Sequence, residues 1–409
     1  VTRDGKNRLP DKITKILPEC PLIKQVIEVG EEVSISQAVK FNDIYKKDYK
    51  EFDQALAKRE SQVETDDGLL IVYTSGTTGK PKGALMSHRN IIHSTLIEAD
   101  EFESTSDDVW MCQLPVNHVG AATELGISPL VSAAAVVLVP KFSPTTVMEL
   151  IEKEKVTIFG QVPTMFAMEF NLPDYDKYDK SSIKCVCISG SAAQRNSLEK
   201  IFATMTTNVF NCLGMTESAG LTTYTPKGSN IDVLTRTVGK VIPELEWKLV
   251  DKDRKPVKRG EPGEIAYRGS TIIKEYYKLP EATAEAIDEE GWFYSGDMAM
   301  EDEDGLLVMM GRTKEMFITG GENVYPPEVE EAIRGYDKVE TAAVLPIPDP
   351  ILGDIGRAYI IPKPGCTIDE DDLKAYLKKN MAKFKIPREF VFRNELPLTG
   401  IGKIEKKKL

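Results

Sequence analysis

A run of hydroxyl, glycine and lysine side chains occupies residues 73–90, which read YTSGTTGKPKGALMSHRN. Glycines let the backbone turn its N–H groups inward, hydroxyls and N–H groups can surround phosphate oxygens, and lysine adds positive charge. The run departs from the G-x-x-x-x-G-K-[ST] loop, because only two residues separate Gly76 from Gly79 and Pro81 follows Lys80. The composition predicts a phosphate-binding loop of another kind, with a flexible surface loop as the alternative.

The bulk composition is that of an ordinary globular protein long enough for several domains. The 409 residues allow two or three cores, and 41% hydrophobic and 28% charged residues are typical proportions. The net charge of −12 argues against a nucleic-acid binder, whose affinity comes from neutralising phosphate charge. A local basic site within an acidic protein is still compatible with this charge.

Cysteine and histidine usage predicts a reduced, cytoplasmic protein without a zinc site. The six cysteines include no C-x-x-C pair, and Cys185 and Cys187 would face one side of a strand, as packing residues do. No H-E-x-x-H motif and no signal peptide are found. The longest apolar run, 129–140, is too short to span a bilayer and is interpreted as a buried strand. Since the chain does not begin with methionine, a fragment or processed product is expected.

The elements that must position the 73–90 run are a strand before it and a helix after it. GLLIVYT (68–74) predicts a buried strand, and SHRNIIHSTLIEADEF predicts a helix with Ser87 as its N-cap. Downstream, apolar strands such as VTIFGQVP and KCVCISG alternate with helical stretches such as PTTVMELIEKEK and AAQRNSLEKIFA. This alternation predicts a mostly parallel sheet flanked by helices, with ligands at the carboxyl ends of its strands.

After residue 230 the pattern of alternating strands and helices gives way to strands separated by turns. Alternating strands and Asp/Gly/Pro turns predict a β-rich subdomain of antiparallel hairpins over about 230–311. The tail, 312–409, follows the order strand, helix, strand, strand, helix, strand. The predicted fold class is therefore α/β: a large domain over 1–311 with mixed, mostly parallel sheets and flanking helices, joined by a hinge to a small α+β domain over 312–409.

The 73–90 run closely resembles the signature loop of the adenylate-forming superfamily, which contains acyl-CoA synthetases, peptide adenylation domains and luciferases. Further motifs of that superfamily follow in the expected order: LPVNHVG, LGMTES, YSGD, GRTKEMFITGGENVYPPEVEEAI and LTGIGKIEKKKL. The resemblance covers the chain from residue 68 onward and is closest to the acyl-CoA synthetases. It implies that the N-terminal part of the large domain is absent here.

The reaction that this resemblance implies has two steps and uses ATP, Mg²⁺ and coenzyme A. A carboxylate attacks the α-phosphate of ATP to give acyl-adenylate and pyrophosphate, and the thiol of coenzyme A then displaces AMP. The enzyme must orient two anions and neutralise their charge. The expected function is an acid–thiol ligase for a small-molecule carboxylic acid, fatty or aromatic.

The resemblance assigns nucleotide binding to several of these motifs. Thr216 would bond the α-phosphate, Glu217 would hold Mg²⁺ and act with Thr216 in catalysis, and Asp297 would accept both ribose hydroxyls, with Arg312 nearby. A solvated carboxylate at a helix start is the alternative for Glu217, and a turn aspartate for Asp297. The β- and γ-phosphates would be held by Thr74, Ser75, Gly76, Thr77, Thr78, Gly79 and the catalytic Lys80.

The base and acyl pockets are assigned in the same way. The adenine would lie against Ser191, Ala192, Asn211, Leu213 and Gly214. Leu213 departs from the superfamily pattern, which usually has an aromatic residue before the glycine of GMTE. The acyl pocket would be lined by His118, Gln161, Ser189 and Gly190. A structural histidine is the alternative for His118.

The C-terminal motifs imply catalysis coupled to domain motion. Lys403 matches the superfamily's catalytic lysine and would bridge the carboxylate and the α-phosphate, whereas residues 406–408 are interpreted as a solvated basic tail. Lys314 occupies the hinge position, about which the small domain would swing between the two steps. The segment for coenzyme A would include Gly320, Gly321 and Glu322, with a hairpin turn as the alternative for the two glycines.

Three functions stay open on the sequence alone. The first is an ATP-dependent acyl-CoA synthetase, and the second is an adenylating enzyme that loads a carrier protein. The third is an inactive acyl- or nucleotide-binding fragment, suggested by the absent N-terminal part and Leu213. Retention of Lys80, Thr216, Glu217, Asp297, Arg312 and Lys403 argues against the third. The oligomeric state is left open, with a homodimer as the candidate.

Overall fold

The computed structural model describes residues 3–4, 7–29, 33–35, 37–74, 81–397 and 404–409. Two compact units divide the chain, Val1–Glu64 and Thr65–Leu409. The first unit contains an antiparallel pair of two-residue strands and a parallel pair of three-residue strands. Its strands and helices are β1 (Arg3–Asp4), β2 (Asn7–Arg8), α1 (Leu9–Ile16), β3 (Val26–Glu28), β4 (Ala38–Lys40), α2 (Phe41–Tyr45) and α3 (Asp53–Glu60).

The second unit carries all the motifs of the predicted site. Its strands are β5 (Gly68–Thr74), β6 (Lys82–Ser87), β7 (Val109–Cys112), β8 (Ala135–Leu138), β9 (Ile158–Gln161), β10 (Cys185–Ser189), β11 (Val209–Met215), β12 (Gly220–Tyr224), β13 (Lys240–Val241), β14 (Leu245–Val250), β15 (Gly263–Gly269), β16 (Glu275–Tyr276), β17 (Phe293–Glu301), β18 (Leu307–Arg312), β19 (Phe317–Thr319), β20 (Glu322–Val324), β21 (Val339–Asp349), β22 (Gly353–Pro362) and β23 (Glu389–Phe392). Its α-helices are α4 (His88–Glu101), α5 (Ser128–Val131), α6 (Pro144–Glu154), α7 (Pro163–Phe170), α8 (Arg195–Thr204), α9 (Ile231–Arg236), α10 (Pro280–Ala286), α11 (Pro326–Arg334) and α12 (Glu370–Asn380).

A mostly parallel sheet forms the centre of this unit. Among the described residues its strand order is β13-β12-β11-β10-β9-β7-β8, with parallel pairing from β8 to β11 and antiparallel pairing beyond β11. Ile158 and Phe159 are neighbours in β9 but enter two different hydrophobic cores, one on each face of the sheet. Burial on both faces explains the near-continuous apolar strands of the sequence. The predicted α/β fold, with helices alternating with parallel strands, is confirmed here.

Strand alternation also explains the close cysteine pair. Cys185 and Cys187 point into one core, whereas Val186 and Ile188 point into the other. All four side chains are buried. The prediction that these cysteines are packing residues is confirmed.

Helix α4 begins where the sequence predicts. The Ser87 side chain accepts a hydrogen bond from the Asn90 backbone N–H at 3.2 Å, and the Asn90 side chain accepts one from the Ser87 N–H at 2.8 Å. This reciprocal cap satisfies two of the backbone donors that a helix start leaves unpaired. It therefore fixes the point at which the chain leaves β6 and enters the helix.

The remaining sheets are mainly antiparallel. Strands β14, β15, β17 and β18 form one sheet in that order, as the alternating pattern after residue 230 predicts. In the C-terminal part the order is hairpin, helix, two paired strands, helix, strand, with its own core around Val329, Ile333 and Leu373. The first predicted strand of this tail is thus the β19–β20 hairpin. The domain boundary at 311/312 stays a prediction.

Two predictions of burial are wrong. Strand β5 lies at the edge of a three-stranded sheet in the order β16-β6-β5, and it is largely exposed, with Tyr73 at 66%. The apolar run 129–140 is not one buried strand, because it contains the end of α5 and then the short, half-exposed edge strand β8. An apolar run does not by itself distinguish a central strand from an edge strand, because that depends on the order of strands in the sheet. Within the described residues, no helix is long and apolar enough to cross a membrane.

Candidate nucleotide and acyl site

The predicted phosphate loop joins β5 to β6. Thr74, the last residue of β5, pairs with Lys82, the first residue of β6, and the Thr74 hydroxyl lies 3.5 Å from the Lys82 carbonyl oxygen. The two strands are antiparallel, so the residues on either side of the loop are held next to each other. The loop residues Ser75, Gly76, Thr77, Thr78, Gly79 and Lys80 lie outside the described residues.

Thr216 and Glu217 lie on a tight turn at the end of β11. The turn is a 3₁₀ helix, Thr216–Ser218, and the buried Ser218 hydroxyl contacts the carbonyl oxygens of Met215 at 3.0 Å and Gly220 at 2.6 Å. The Glu217 carbonyl oxygen accepts a hydrogen bond from the Ile273 N–H at 2.9 Å. These bonds hold the backbone of the turn at the end of a strand, where ligands of α/β sheets are bound.

A buried tyrosine connects this turn to the start of β6. The Tyr276 hydroxyl donates to Glu217 Oε1 at 2.7 Å, and Lys82 Nζ lies 4.9 Å from the centre of the Tyr276 ring. Burial and the neighbouring Glu217 carboxylate both raise the pKa of Tyr276, so the phenol keeps the proton that it donates. The predicted carboxylate and the lysine at the exit of the phosphate loop therefore contact the same tyrosine, one at its hydroxyl and the other over its ring.

Asp297 and Arg312 are opposite each other on paired strands. The register of β17 and β18 places Asp297 across from Arg312, and Arg312 Nε lies 3.1 Å from Asp297 Oδ1. The Asp297 side chain is 9% exposed and that of Arg312 is 58% exposed. The resemblance to the superfamily assigns both residues to the ribose. The structure brings them together although they belong to different motifs.

The residues assigned to the adenine base differ in their exposure to solvent. Ser191 and Ala192 are exposed and Leu213 is half-buried. Gly214 has no room for a side chain, because a Cβ there would lie 2.8 Å from the Gly220 carbonyl oxygen. Asn211 is buried, and its Nδ2 donates to the carbonyl oxygens of Leu234 at 2.9 Å and Thr237 at 2.8 Å. The Asn211 side chain thus ties β11 to the end of α9, and its role toward the base stays a prediction.

Three of the residues assigned to the acyl pocket lie at the carboxyl ends of neighbouring parallel strands. Ser189 ends β10 and is followed by Gly190, and Gln161 ends β9. Gln161 is buried within a polar chain: Gln113 Nε2 lies 3.2 Å from Gln161 Oε1, and Gln161 Nε2 donates to Glu169 Oε2 at 2.8 Å. Because both ends of this carboxamide are engaged inside the protein, Gln161 is poorly placed to contact a polar substrate group.

His118 lies near the carboxyl group of Glu124. Its Nδ1 accepts a hydrogen bond from the Gly120 N–H at 3.1 Å. A Cβ built on Gly120 would lie 3.3 Å from His118 Nδ1 and 3.5 Å from Glu124 Oε2, so both groups flank this glycine. Glu98, on α4, is buried and accepts a hydrogen bond from the Ser128 hydroxyl at 2.6 Å. Burial and then the nearby Glu124 raise the pKa of Glu98, and burial raises the pKa of Glu124 to about 7.

The Glu124→Gln variant is expected to be less sensitive to pH than the parent protein. A carboxyl with a raised pKa keeps its proton in the folded state while the unfolded chain releases it, so stability falls as pH rises from about 4.5 to about 7. One pKa unit corresponds to about 1.4 kcal/mol, so removing this group should recover at most about 3 kcal/mol above pH 7. Urea unfolding at pH 5 and pH 8 measures the difference. The exposed Glu149→Gln is the control, and an equal pH response in all three proteins would contradict the assignment.

The segment assigned to coenzyme A forms a tight hairpin, and the residue assigned to the hinge precedes it. Gly320 and Gly321 form the two-residue turn between β19 and β20, with φ of 60° and 91°. Such a turn needs positive φ at both positions, which favours glycine. The two glycines therefore form the hairpin turn that was the alternative to a role in binding coenzyme A. Glu322 is exposed at the start of β20, and Lys314 follows the end of β18. Their roles in coenzyme A binding and hinge motion stay predictions.

The C-terminal tail contains an ion-pair cluster that the sequence did not reveal. Lys403 lies outside the described residues. Lys406 is not part of a solvated basic tail, because its side chain is only 21% exposed and its Nζ lies 3.0 Å from Glu315 Oε2 and 2.8 Å from Glu330 Oε1. Burial alone would lower the pKa of Lys406, but the charges of Glu330 and Glu315 outweigh it and raise the pKa. Lys407 and Lys408 are exposed, as the sequence predicts.

The Lys406→Met variant is expected to be less stable than the parent protein by about 1–3 kcal/mol, because it leaves the largely buried Glu330 without its cation. Lys407→Met, at an exposed neighbouring position, should change stability by less than about 0.5 kcal/mol. Urea unfolding midpoints measure both. A second change, Glu330→Gln, should restore part of the loss in the Lys406→Met background. Equal midpoints for the two lysine variants would show that the ion pairs contribute nothing.

Tyr276, Lys406 and Glu124 are thus positions that the motifs did not single out. Tyr276 occurs in the stretch EYYKLPEAT, which carries no charge or spacing pattern that indicates a contact with Glu217. Lys406 is one of three consecutive lysines, and only its contacts distinguish it from the other two. No signal in the sequence could have identified the contacts of Tyr276 and Lys406, because their partners are remote along the chain.

Two models of one enzyme family match this chain. The model of the AMP-binding enzyme family matches residues 11–277, and that of the AMP-binding enzyme C-terminal domain matches residues 328–403. Since the first match alone covers more than half of the chain, this chain belongs to the AMP-binding enzyme family.

Known proteins of the family resemble this chain along most of its length. Feruloyl-CoA synthase from Amycolatopsis sp. is 35% identical over 349 residues, which cover 84% of this chain and 70% of that protein. The ATP-bound structure of MatB from Rhodopseudomonas palustris has a TM-score of 0.77 at 29% identity, covering 84% of this chain and 68% of MatB. The structure of O-succinylbenzoate coenzyme A synthetase (MenE) from Bacillus subtilis with ATP and a magnesium ion has a TM-score of 0.75 at 28% identity, covering 85% and 70%.

These similarities confirm the predicted superfamily, the fold and the enzyme class, an ATP-using, AMP-forming carboxylate–CoA ligase.

Proposed function

We propose that this chain joins a fatty or aromatic monocarboxylic acid to coenzyme A in two steps at one site. In the first step, a carboxylate oxygen bonds to the α-phosphorus of ATP and the bond from that phosphorus to pyrophosphate breaks. In the second step, the sulfur of coenzyme A, having lost its proton, bonds to the acyl carbon and AMP leaves with the electrons of the broken C–O bond. The first step creates the leaving group that a free carboxylate lacks.

One observation carries this proposal: Tyr276 contacts both Glu217 and Lys82, so the turn after β11 lies beside the exit of the phosphate loop. In this arrangement Thr216 holds the α-phosphate while the residues 74–80 hold the pyrophosphate that leaves. Asp297 and Arg312 bind the ribose, and Leu213 contacts the base with an apolar rather than an aromatic surface. Lys403 neutralises charge at the reacting phosphate and carboxylate.

The chemistry of Glu217 fits Mg²⁺. Mg²⁺ is bound by one or two carboxylates together with substrate phosphates and water, rather than by a cage of protein side chains. Among the described residues no group of three or more His, Cys, Asp or Glu side chains could hold a metal ion. The ion would supply charge neutralisation on the phosphates. Glu217 would bind it and hold it beside Thr216.

Electrostatics around His118 favour a monoacid. The carboxyl group that flanks Gly120 together with His118 is that of Glu124, and its pKa, raised to about 7 by burial, keeps it largely protonated below that pH. A neutral carboxyl group supplies no positive charge to pair with a second carboxylate on the substrate, which favours a monoacid. Ferulate and o-succinylbenzoate, in the names of two of the similar proteins, are both aromatic acids, the first with one carboxylate and the second with two. These names support an aromatic acid as the substrate, and the preference for a single carboxylate rests on the surroundings of His118 alone.

Exchange of labelled pyrophosphate into ATP, measured with a panel of acids, tests this function directly. We expect exchange with aromatic and medium-chain monoacids and weak exchange with dicarboxylates of matched length, followed by release of AMP on addition of coenzyme A. Exchange without dependence on coenzyme A would favour an enzyme that loads a carrier protein. Absence of exchange with every acid would favour a binding fragment.

The same proposal includes three further properties of the protein. It would be cytoplasmic, it would form a homodimer, and its residues 312–409 would form a small mobile domain.

A further inference from the structure

Tyr276 occupies a position between two parts of the proposed nucleotide site that are far apart in the sequence. It is 5% exposed and belongs to β16, which pairs with β6 so that Tyr276 lies opposite Ala84. The neighbouring Tyr277 N–H donates to the Gly83 carbonyl oxygen at 2.8 Å. The backbone of β16 is therefore fixed to the strand that leaves the phosphate loop.

The hydroxyl of Tyr276 contacts the Glu217 carboxylate directly. It donates to Oε1 at 2.7 Å, and among the described residues no hydrogen bond to Oε2 is found. The backbone of Glu217 is held separately, by the bond from Ile273. With the backbone held, this short hydrogen bond restrains the rotation of the carboxylate and leaves its second oxygen available for a ligand.

The ring of Tyr276 has a second contact that does not involve the hydroxyl. Lys82 Nζ lies 4.9 Å from the ring centre, within the range of a cation–π interaction. A phenylalanine ring would keep this contact. Removal of the hydroxyl alone therefore separates the orientation of Glu217 from the packing around the phosphate loop.

We propose that Tyr276 is a positioning residue that orients the Glu217 carboxylate toward the magnesium ion of Mg·ATP and links it to the strand leaving the phosphate loop. This inference rests on the proposed function, in which Glu217 is the metal ligand. Partners that orient a metal ligand typically change metal affinity about 10- to 100-fold when they are removed. The role of Tyr276 is thus to preorganise the metal-binding carboxylate before the nucleotide arrives.

Binding of a non-hydrolysable ATP analogue, measured by calorimetry with and without Mg²⁺, tests the proposal without a requirement for turnover. The Tyr276→Phe variant should bind the analogue about 10-fold or more weakly than the parent protein when Mg²⁺ is present, and equally well when it is absent. Tyr277→Phe is the matched control, because Tyr277 is adjacent and 40% exposed. It should bind like the parent protein in both conditions.

The Glu217→Gln background separates this inference from the proposed function. If Glu217 holds the metal, Glu217→Gln alone removes the Mg²⁺-dependent part of the affinity, and adding Tyr276→Phe has no further effect. Affinity of Tyr276→Phe that equals the parent's with Mg²⁺, or that falls equally with and without Mg²⁺, would overturn the positioning role while leaving the function intact. Unchanged Mg²⁺ dependence in Glu217→Gln would overturn the metal role of Glu217, and this inference with it. Thermal melting of each variant confirms that the folded protein is compared.

Discussion

Replacement of Lys403 by alanine is expected to lower the rate of acyl-adenylate formation by on the order of 10²–10³-fold. The reason is that the α-phosphate and the attacking carboxylate are both anionic, and this lysine is the group proposed to neutralise them as they approach. Thioester formation from supplied acyl-adenylate should be largely retained, because the second step no longer brings a carboxylate to a phosphate. Pyrophosphate exchange measures the first step, and release of AMP from acyl-adenylate with coenzyme A measures the second.

The control for this variant is Lys407→Ala, which removes a positive charge from the same tail at an exposed position. It should change neither step. The two-step use of the lysine would be disproved by an equal loss of both steps in Lys403→Ala. A loss in Lys407→Ala as large as that in Lys403→Ala would instead indicate a general electrostatic effect of the tail.

The second large effect is expected at Asp297. Asp297→Asn keeps the shape of the side chain but removes the charge that we propose accepts the ribose hydroxyls, so the KM for ATP should rise about 10- to 100-fold. This range follows from a contribution of about 1.5–3 kcal/mol for a hydrogen bond to a charged group. The loss of the Arg312 ion pair should contribute little to stability, because the Arg312 side chain is 58% exposed. Initial rates at varied ATP concentration and saturating acid measure the change.

Asp302→Asn is a closely matched control. Asp302 follows the end of the same strand, β17, its side chain is 11% exposed, and it forms an ion pair with Arg236 at 2.5 Å. Its other oxygen accepts hydrogen bonds from the N–H groups of Asp304 and Leu306, so its role is to shape the turn before β18. The KM for ATP should not change in this variant. A rise in both variants would mean that the effect at Asp297 reflects damage to the sheet rather than loss of ribose binding.

Much of the fold follows from local patterns in the sequence. The helix α4 begins at the predicted cap because Ser87 and Asn90 are close together in the chain and satisfy each other's backbone. The parallel strands follow from apolar runs such as that of β9, which pack on both faces. Strand β5 shows the limit of such patterns, since its apolar run lies at a sheet edge. Whether a strand is central depends on which other strands pair with it.

The candidate site, like the fold, was predictable from the sequence only in part. Its residue types were predictable, because Thr216, Glu217 and Asp297 lie in motifs whose spacing is characteristic of the superfamily. The contacts of those residues were not predictable. Tyr276 reaches Glu217 across 59 positions of sequence, and Lys406 reaches Glu315 across 91. Gln161, a predicted pocket residue, likewise donates a hydrogen bond to the buried Glu169, a contact that the sequence did not predict.

The sequence by itself determined the family of this protein, its chemistry and the order of its elements. These properties reside in residue identity, short-range spacing and hydrophobic periodicity, all of which act between residues close in the chain. Only the tertiary structure decided that Tyr276 orients Glu217, that Asp297 faces Arg312, that Glu98 and Glu124 share one buried region, and that Lys406 is enclosed rather than solvated. The physical reason is that strand register and helix packing set these distances, and both are the outcome of many weak contacts summed over the whole unit.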